Sequence, residues 1–116
     1  MTANVVNRLL DKDLYSRLGI TPEELADFCQ RWGIVELALF GSILREDFDL
    51  DSDVDVLVIF RPDHSWGLEF IQMRDELAAL FQRPVDLLTR QSILHSHNLL
   101  RRETILNSAR AIYAAG

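Results

Sequence analysis

The sequence predicts an α+β protein in which a small mixed β-sheet is flanked by α-helices. Two observations support this prediction. Segments with apolar residues at helical spacing alternate with three short runs of large apolar residues, two of which end at or close to a Gly or Pro. The predicted order is helix, strand, strand, helix, strand, helix, which places a sheet against covering helices. Because no repeat or linker divides the chain, residues 1–116 are expected to form one domain.

Two helices are predicted before the first strand. In the range 4–18, apolar residues recur at near-helical spacing. The second helix is better marked, with Thr21 as N-cap, Glu24 completing a capping box and Gly33 at the exit. Cys29, the only cysteine, falls in the apolar stripe of this helix, which favours a structural thiol over a nucleophile.

The remaining elements follow from the same patterns. Short apolar runs over 34–40, 54–60 and 84–89 predict three strands. Helical spacing predicts a helix over 67–82 and a closing amphipathic helix over 98–116.

Charge and composition narrow the function. The net charge of −6 argues against a broad electrostatic grip on nucleic acid, so direct nucleic-acid binding is not expected. Lys12 is the only lysine, which disfavours P-loop and Schiff-base chemistry. No apolar stretch approaches the roughly 18 to 20 residues of a membrane span. With a single cysteine, these features favour a cytoplasmic protein without a membrane partner.

Aspartates occur at every second position as the chain enters the second strand. Strand alternation places Asp53 and Asp55 on one face and sends Val54, Val56 and Val58 to the other. Two carboxylates so close repel each other unless a cation compensates, and Mg²⁺ suits carboxylate oxygens. Three further aspartates precede the strand and are interpreted as a solvated acidic loop: Asp47, Asp49 and Asp51.

A third acid and a glycine turn complete the predicted site. Asp86 lies among apolar residues of the third strand, where an isolated carboxylate would be costly. If that strand lies beside the second, three carboxylates converge. Gly41 lets the backbone come close to a ligand, and the Ser42 hydroxyl with nearby N–H groups can bond phosphate oxygens. Together these residues predict metal-assisted phosphoryl or nucleotidyl transfer.

A glycine-serine pair, ten intervening residues and then Asp-Val-Asp resembles the signature of the DNA polymerase beta-like nucleotidyltransferase superfamily. The spacing is similar to that of its small prokaryotic branch, the minimal nucleotidyltransferases. The resemblance also covers Arg45, Ser52 and Asp86, and it implies a polymerase beta palm-like fold. The chain departs from the family pattern at Ile43 and Glu46, where relatives often have a basic residue and a glycine.

The resemblance implies a role for each site residue. Asp53 and Asp55 would hold two Mg²⁺ ions, while Asp86 would bind the second ion and help to activate an acceptor hydroxyl. That hydroxyl would attack the α-phosphate of ATP and expel pyrophosphate. The nucleotide and phosphate contacts that the resemblance implies are Gly41, Ser42 and Arg45.

The resemblance also implies a partner. Minimal nucleotidyltransferases often occur beside a HEPN-domain protein, and in such toxin–antitoxin pairs the transferase is the antitoxin that adds AMP to a tyrosine of the toxin. A competing hypothesis is a non-catalytic antitoxin or assembly subunit that neutralises its partner by occlusion. A transferase acting on an RNA end is disfavoured by the negative charge. The sequence leaves open a homodimer or a hetero-oligomer.

Overall fold

The computed structural model describes residues 11–45, 48–49, 51–61 and 69–115. The predicted α+β class is confirmed, because helices flank a four-stranded mixed sheet. The helices are α1 (Asp11–Leu18), α2 (Pro22–Trp32), α3 (Glu69–Phe81), α4 (Arg90–Leu94) and α5 (Leu99–Ser108). The strands are β1 (Ile34–Phe40), β2 (Val54–Phe60), β3 (Val85–Thr89) and β4 (Arg110–Ala114). None of the described helices has the length and apolar character needed to cross a membrane.

The sheet has the strand order β3-β2-β1-β4. β1 pairs antiparallel with both β2 and β4, whereas β3 lies parallel to β2. The register aligns Phe40 with Asp55 across β1 and β2, and Asp55 with Asp86 across β2 and β3. The end of β1 and the beginnings of β2 and β3 therefore meet at one edge of the sheet.

Each face of the sheet buries its own apolar cluster. Residues of α1, α2 and α3 pack with Val54, Val56 and Val58 in the larger cluster, as strand alternation predicts. The opposite face holds a smaller cluster, which we call the second core; it consists of Ala38, Phe40, Leu57, Ile93 and Ile105. Since Asp53 and Asp55 alternate with the valines, they lie on the face that α4 and α5 cover.

The predicted closing helix over 98–116 is wrong beyond Ser108. At Ala109 the backbone becomes extended, with φ −62° and ψ 137°, and β4 then pairs with β1. The Tyr15 hydroxyl also donates a buried hydrogen bond of 2.7 Å to the Ile112 carbonyl. Tertiary pairing at the edge of β1 thus overrides the helical propensity of the alanine-rich segment.

The other boundaries agree closely with the sequence patterns. The capping box is confirmed, since the Thr21 hydroxyl accepts from Glu24 N at 3.1 Å and Thr21 N donates to the Glu24 carboxylate at 2.9 Å. α4 was not predicted, because five residues are too few to show a helical period. Parts of two predicted helices, 4–10 and 67–68, lie outside the described residues.

Cys29 is confirmed as a structural thiol and gives a direct test of the fold. It is fully buried in the larger core, and burial raises its pKa from 9.0 to about 12. Because the thiolate is the reactive form, iodoacetamide at pH 8 should label native protein roughly 100-fold or more slowly than urea-unfolded protein. Equal labelling rates in the two states, measured by mass spectrometry, would contradict this packing.

Candidate active site

The three predicted carboxylates lie on neighbouring strands at one edge of the sheet. Asp55 and Asp86 are register partners across the parallel β2 and β3 pair, and Asp53 stands just before β2 on the same face as Asp55. Asp55 is half-buried, whereas Asp53 and Asp86 are exposed. The predicted condition for convergence, that the third strand lies beside the second, is therefore met.

Asp55 is the carboxylate of the cluster whose ionised form is disfavoured by its surroundings. Burial raises the pKa of the Asp55 carboxyl above its ordinary value, and the negative charges of Asp86 and then Asp53 raise it further. Arg101 opposes this rise. A site that keeps three ionised carboxylates together gains from a bound cation, so the donor set fits a hard divalent ion such as Mg²⁺.

The carboxylates do not form a closed cage. Among the residues that the structure describes, no three His, Cys, Asp or Glu side chains are arranged to hold one ion. Mg²⁺ characteristically takes one or two protein carboxylates and fills its shell with waters and substrate phosphates. An open set of carboxylates agrees with that kind of metal binding, in which substrate oxygens complete the shell.

Gly41 places the backbone directly against Asp55. It follows β1 with a φ of +77°, in the left-handed region that favours glycine. A Cβ at this position would lie 2.2 Å from Asp55 Oδ2, which is closer than any nonbonded contact allows. The glycine predicted to admit a ligand thus also makes room for the carboxylate at the centre of the acidic cluster.

Gly41 opens a one-turn 3₁₀ helix, Gly41–Leu44, which places Ser42 beside the acidic edge of the sheet. Arg45 N donates to the Ser42 carbonyl at 3.0 Å and closes the turn. Ile43 is fully buried in the larger core. Its apolar side chain, where relatives often have a basic residue, is therefore explained by packing.

Arg17 holds this turn, and Arg83 lies with it over the Phe48 ring that follows. Arg17 Nη1 donates to the carbonyls of Ile43, at 2.7 Å, and of Arg45. Beyond the turn, the Phe48 ring has the guanidinium of Arg17 at 5.6 Å and that of Arg83 at 5.2 Å from its centre. Sequence reasoning missed both arginines, because their positions depend on contacts between segments far apart in the chain.

The cation that acts on the acidic cluster is Arg101, a residue that the sequence patterns did not single out. The nucleotide contact predicted for Arg45 stays a prediction. Arg45 is exposed at the end of the turn and is not among the groups that shift the pKa of Asp55. Arg101 of α5 is the cation that does so. It lies one helical turn before Ile105, which is buried in the second core next to β2, and this spacing puts both side chains on one helix face.

The acidic loop before β2 agrees with its structural interpretation in the part that is described. The Asp49 carboxylate accepts a hydrogen bond from Asp51 N at 3.0 Å, and the Asp49 carbonyl accepts from Ser52 N at 2.9 Å. These bonds form a local turn that leads into β2. Asp47 and Glu46 lie outside the described residues.

A glycine turn, one acid just before β2, a second within β2 and a third on its parallel neighbour β3 thus lie at one edge of the sheet. The chain belongs to the nucleotidyltransferase domain family, which it matches over residues 23–112. It is 41% identical over 64 residues to protein adenylyltransferase MntA of Thermococcus cleftensis, a match that covers 55% of this chain and 64% of that protein. The chain thus spans slightly less than two thirds of this relative's length.

Solved structures share the fold. A minimal nucleotidyltransferase is 27% identical and superposes with a TM-score of 0.61, over 89% of this chain and 96% of the other. The second example is a complex of a tri-AMPylated HEPN toxin from Shewanella oneidensis with its MNT antitoxin. It has a TM-score of 0.56 at 15% identity and covers 91% of this chain and 74% of that one. At that identity the likeness shows the fold alone.

Proposed function

We propose that this chain is a Mg²⁺-dependent protein adenylyltransferase that moves AMP from ATP to a tyrosine hydroxyl of a HEPN-domain partner and so acts as its antitoxin. The observation that carries the proposal is the convergence of Asp53, Asp55 and Asp86 beside the Gly41 turn. The adenylyltransferase name of the Thermococcus relative and the AMPylated toxin in the Shewanella complex support the choice of nucleotide and acceptor.

The acidic residues of the chain would bind the metal ions, and the glycine turn would bind the phosphates. Asp53 and Asp55 would hold two Mg²⁺ ions, and Asp86 would share the second ion and accept a hydrogen bond from the acceptor hydroxyl. The Ser42 hydroxyl and the backbone N–H groups after Gly41 would hold the β- and γ-phosphates. Bound Mg²⁺ would neutralise phosphate charge and polarise the reacting oxygens.

The proposed reaction is a balanced group transfer. The acceptor oxygen bonds to the α-phosphorus while the bond from that phosphorus to the pyrophosphate oxygen breaks, and the hydroxyl proton would pass to the Asp86 carboxylate and from there to solvent. The protein forms no covalent bond in this step, so positioning of the reactants and stabilisation of charge would account for most of the rate enhancement.

The direct test is incubation of the chain with α-labelled ATP, Mg²⁺ and the HEPN-domain protein from the same genome. We expect the label on a tyrosine of that partner, identified by mass spectrometry. Absence of label from every protein would refute the proposal, and label in RNA would replace it with transfer to an RNA end. The rival occlusion hypothesis predicts that an Asp53→Ala/Asp55→Ala double variant still neutralises the toxin.

Arg101 supplies a further prediction at this site. Its charge acts on the acidic cluster, so we propose that it also faces the phosphates of the bound nucleotide. Arg101→Ala should lower kcat/KM for ATP about 10-fold, and Arg101→Lys should restore part of the loss. Arg74→Ala, which removes an exposed arginine of α3 beside Asp75, is the matched control. If the Arg101 and Arg74 variants behave alike, Arg101 has no role in binding the nucleotide.

A further inference from the structure

We propose that the junction of α4 and α5 is the docking surface for the acceptor protein, and that it binds a segment of apolar side chains accompanied by acidic residues. This inference rests on the proposed function, because it identifies where the protein substrate of the same site is held. The surface consists of Leu94, Leu99 and Leu100, and we call it the junction patch.

The junction patch concentrates exposed apolar area in one place. Four large apolar side chains are exposed in the described part of the chain, and three of them form the patch: Leu94 (45%), Leu99 (57%) and Leu100 (78%). Arg102 Nη1 donates to the Leu94 carbonyl at 3.2 Å and holds the end of α4 against the first turn of α5. Large apolar side chains exposed within so short a stretch mark a candidate protein contact.

The segment that carries the junction patch is richer in arginine than in acidic residues, in contrast to the molecule as a whole. The chain carries a net charge of −6, yet no acidic residue lies between Asp86 and Glu103, whereas Arg90, Arg101 and Arg102 fall in that stretch. Over the described residues, no carboxylate lies within ion-pairing distance of these three arginines. A partner that offers acidic side chains would be complementary here and would be steered toward this part of the surface.

The helix that carries most of the junction patch covers the sheet face on which the acids lie. Leu100 is in the first turn of α5, and α5 packs through Ile105 against Leu57 in the second core, on the face that Asp53 and Asp55 share. A protein seated on the patch would therefore lie on the same face of the sheet as the carboxylates that receive the acceptor hydroxyl. No other exposed apolar side chain in the described residues has this relation to the site, because Ile71 projects from α3, which covers the opposite face of the sheet.

A second copy of this chain fits the junction patch less well. A two-fold interface brings the same surface of each copy together, so the arginines beside the patch would face their own equivalents. Like charges placed together at an interface oppose binding.

The test measures binding and transfer separately, with the HEPN-domain protein from the same genome as the probe. Leu99→Glu and Leu100→Glu should fold normally, since both positions are exposed and acidic residues in the first turn suit the helix dipole. Each should weaken binding at least about 10-fold without nucleotide present and leave the affinity for Mg²⁺-ATP unchanged. Ile71→Glu is the matched control and should bind like wild type, and the wild-type complex should weaken as salt rises.

The outcomes separate this inference from the proposed function. If the Leu100 variant binds the probe as wild type does while AMP transfer proceeds, the docking surface is wrong and the enzymatic proposal stands. If the variant loses binding but wild type transfers no nucleotide, the surface stands and the enzymatic proposal fails. Light scattering of the chain alone tests the self-interface, and conversion of a wild-type dimer to a monomer by Leu100→Glu would overturn the inference. Binding of a single-stranded RNA that Leu100→Glu abolishes would overturn it as well.

Discussion

Replacing Asp55 by asparagine is expected to abolish AMP transfer and, at the same time, to stabilise the metal-free protein. The change keeps the shape of the side chain and removes a half-buried charge whose pKa is raised by burial and by Asp86 and Asp53. Transfer should fall by at least about 10³-fold, which corresponds to roughly 4 kcal/mol of transition-state stabilisation. The melting temperature without metal should rise by on the order of a few degrees, since a mutual repulsion is relieved.

The pH dependence of stability follows from the same raised pKa. Native protein holds the Asp55 proton more tightly than the unfolded chain does, so this group stabilises metal-free protein below the unfolded pKa of about 3.9. That contribution is lost as the pH rises through the higher native pKa. Wild type should therefore gain less stability than Asp55→Asn between pH 4 and pH 7 in EDTA, as measured by thermal melts. Mg²⁺ should raise the melting temperature of wild type more than that of the variant.

The matched control for Asp55→Asn is Asp51→Asn in the acidic loop. Asp51 is exposed in the turn that Asp49 organises, outside the strand, and is not among the acids that shift the pKa of Asp55. This variant should transfer AMP at nearly the wild-type rate, and Mg²⁺ should raise its melting temperature as much as it raises that of wild type. Equal loss of transfer in the two variants would show that the whole acidic run acts together, which would contradict the division of the aspartates into a loop and a site.

Replacing Gly41 by alanine is expected to damage catalysis far more than folding. The new Cβ would overlap Asp55 Oδ2, and the carboxylate is the group that can swing away, because it is the free end of a side chain. Transfer should fall about 10²-fold or more, since displacement of a catalytic group by about 1 Å costs that much. The strain of placing alanine at a φ of +77° should cost about 1–2 kcal/mol of unfolding free energy.

Gly19→Ala separates the two effects of the Gly41 change. Gly19 has a similar φ of +73°, but nothing lies within 4 Å of an added Cβ there. The two variants should lose comparable stability in urea unfolding, and only Gly41→Ala should lose transfer activity. If Gly19→Ala loses transfer to the same extent, the defect of Gly41→Ala arises from backbone strain and not from its contact with Asp55.

Local patterns were enough to predict the parts of the fold that depend on local chemistry. The α2 helix has its cap, its apolar stripe and its exit within one short segment, and β2 shows its two faces in the alternation of aspartate and valine. The proximity of Asp86 to Asp55 was a conditional prediction, because it needed the parallel pairing of β2 with β3. The roles of these acids in transfer remain predictions.

Features that depend on contacts between distant segments were missed. Residues 110–114 form a strand because the edge of β1 is there to pair with them, which no helical period can reveal. Arg101 was overlooked as a site residue because its relation to the acids requires α5 to lie over the second core. In each case sequence distance was a poor guide to distance in the molecule.

The parallel pairing of β2 with β3 determines when the three acids come together. One continuous stretch supplies Gly41, Ser42, Asp53 and Asp55. Asp86 lies beside them only once α3 has connected β2 to the parallel strand β3. A parallel pairing requires a long loop to close, and the entropy of that closure is lost before the strand contacts form. Such pairings therefore form late in folding. A chain emerging from the ribosome would thus complete its glycine turn and paired acids well before it gained the third acid. The active site would mature only once the helical crossover had docked.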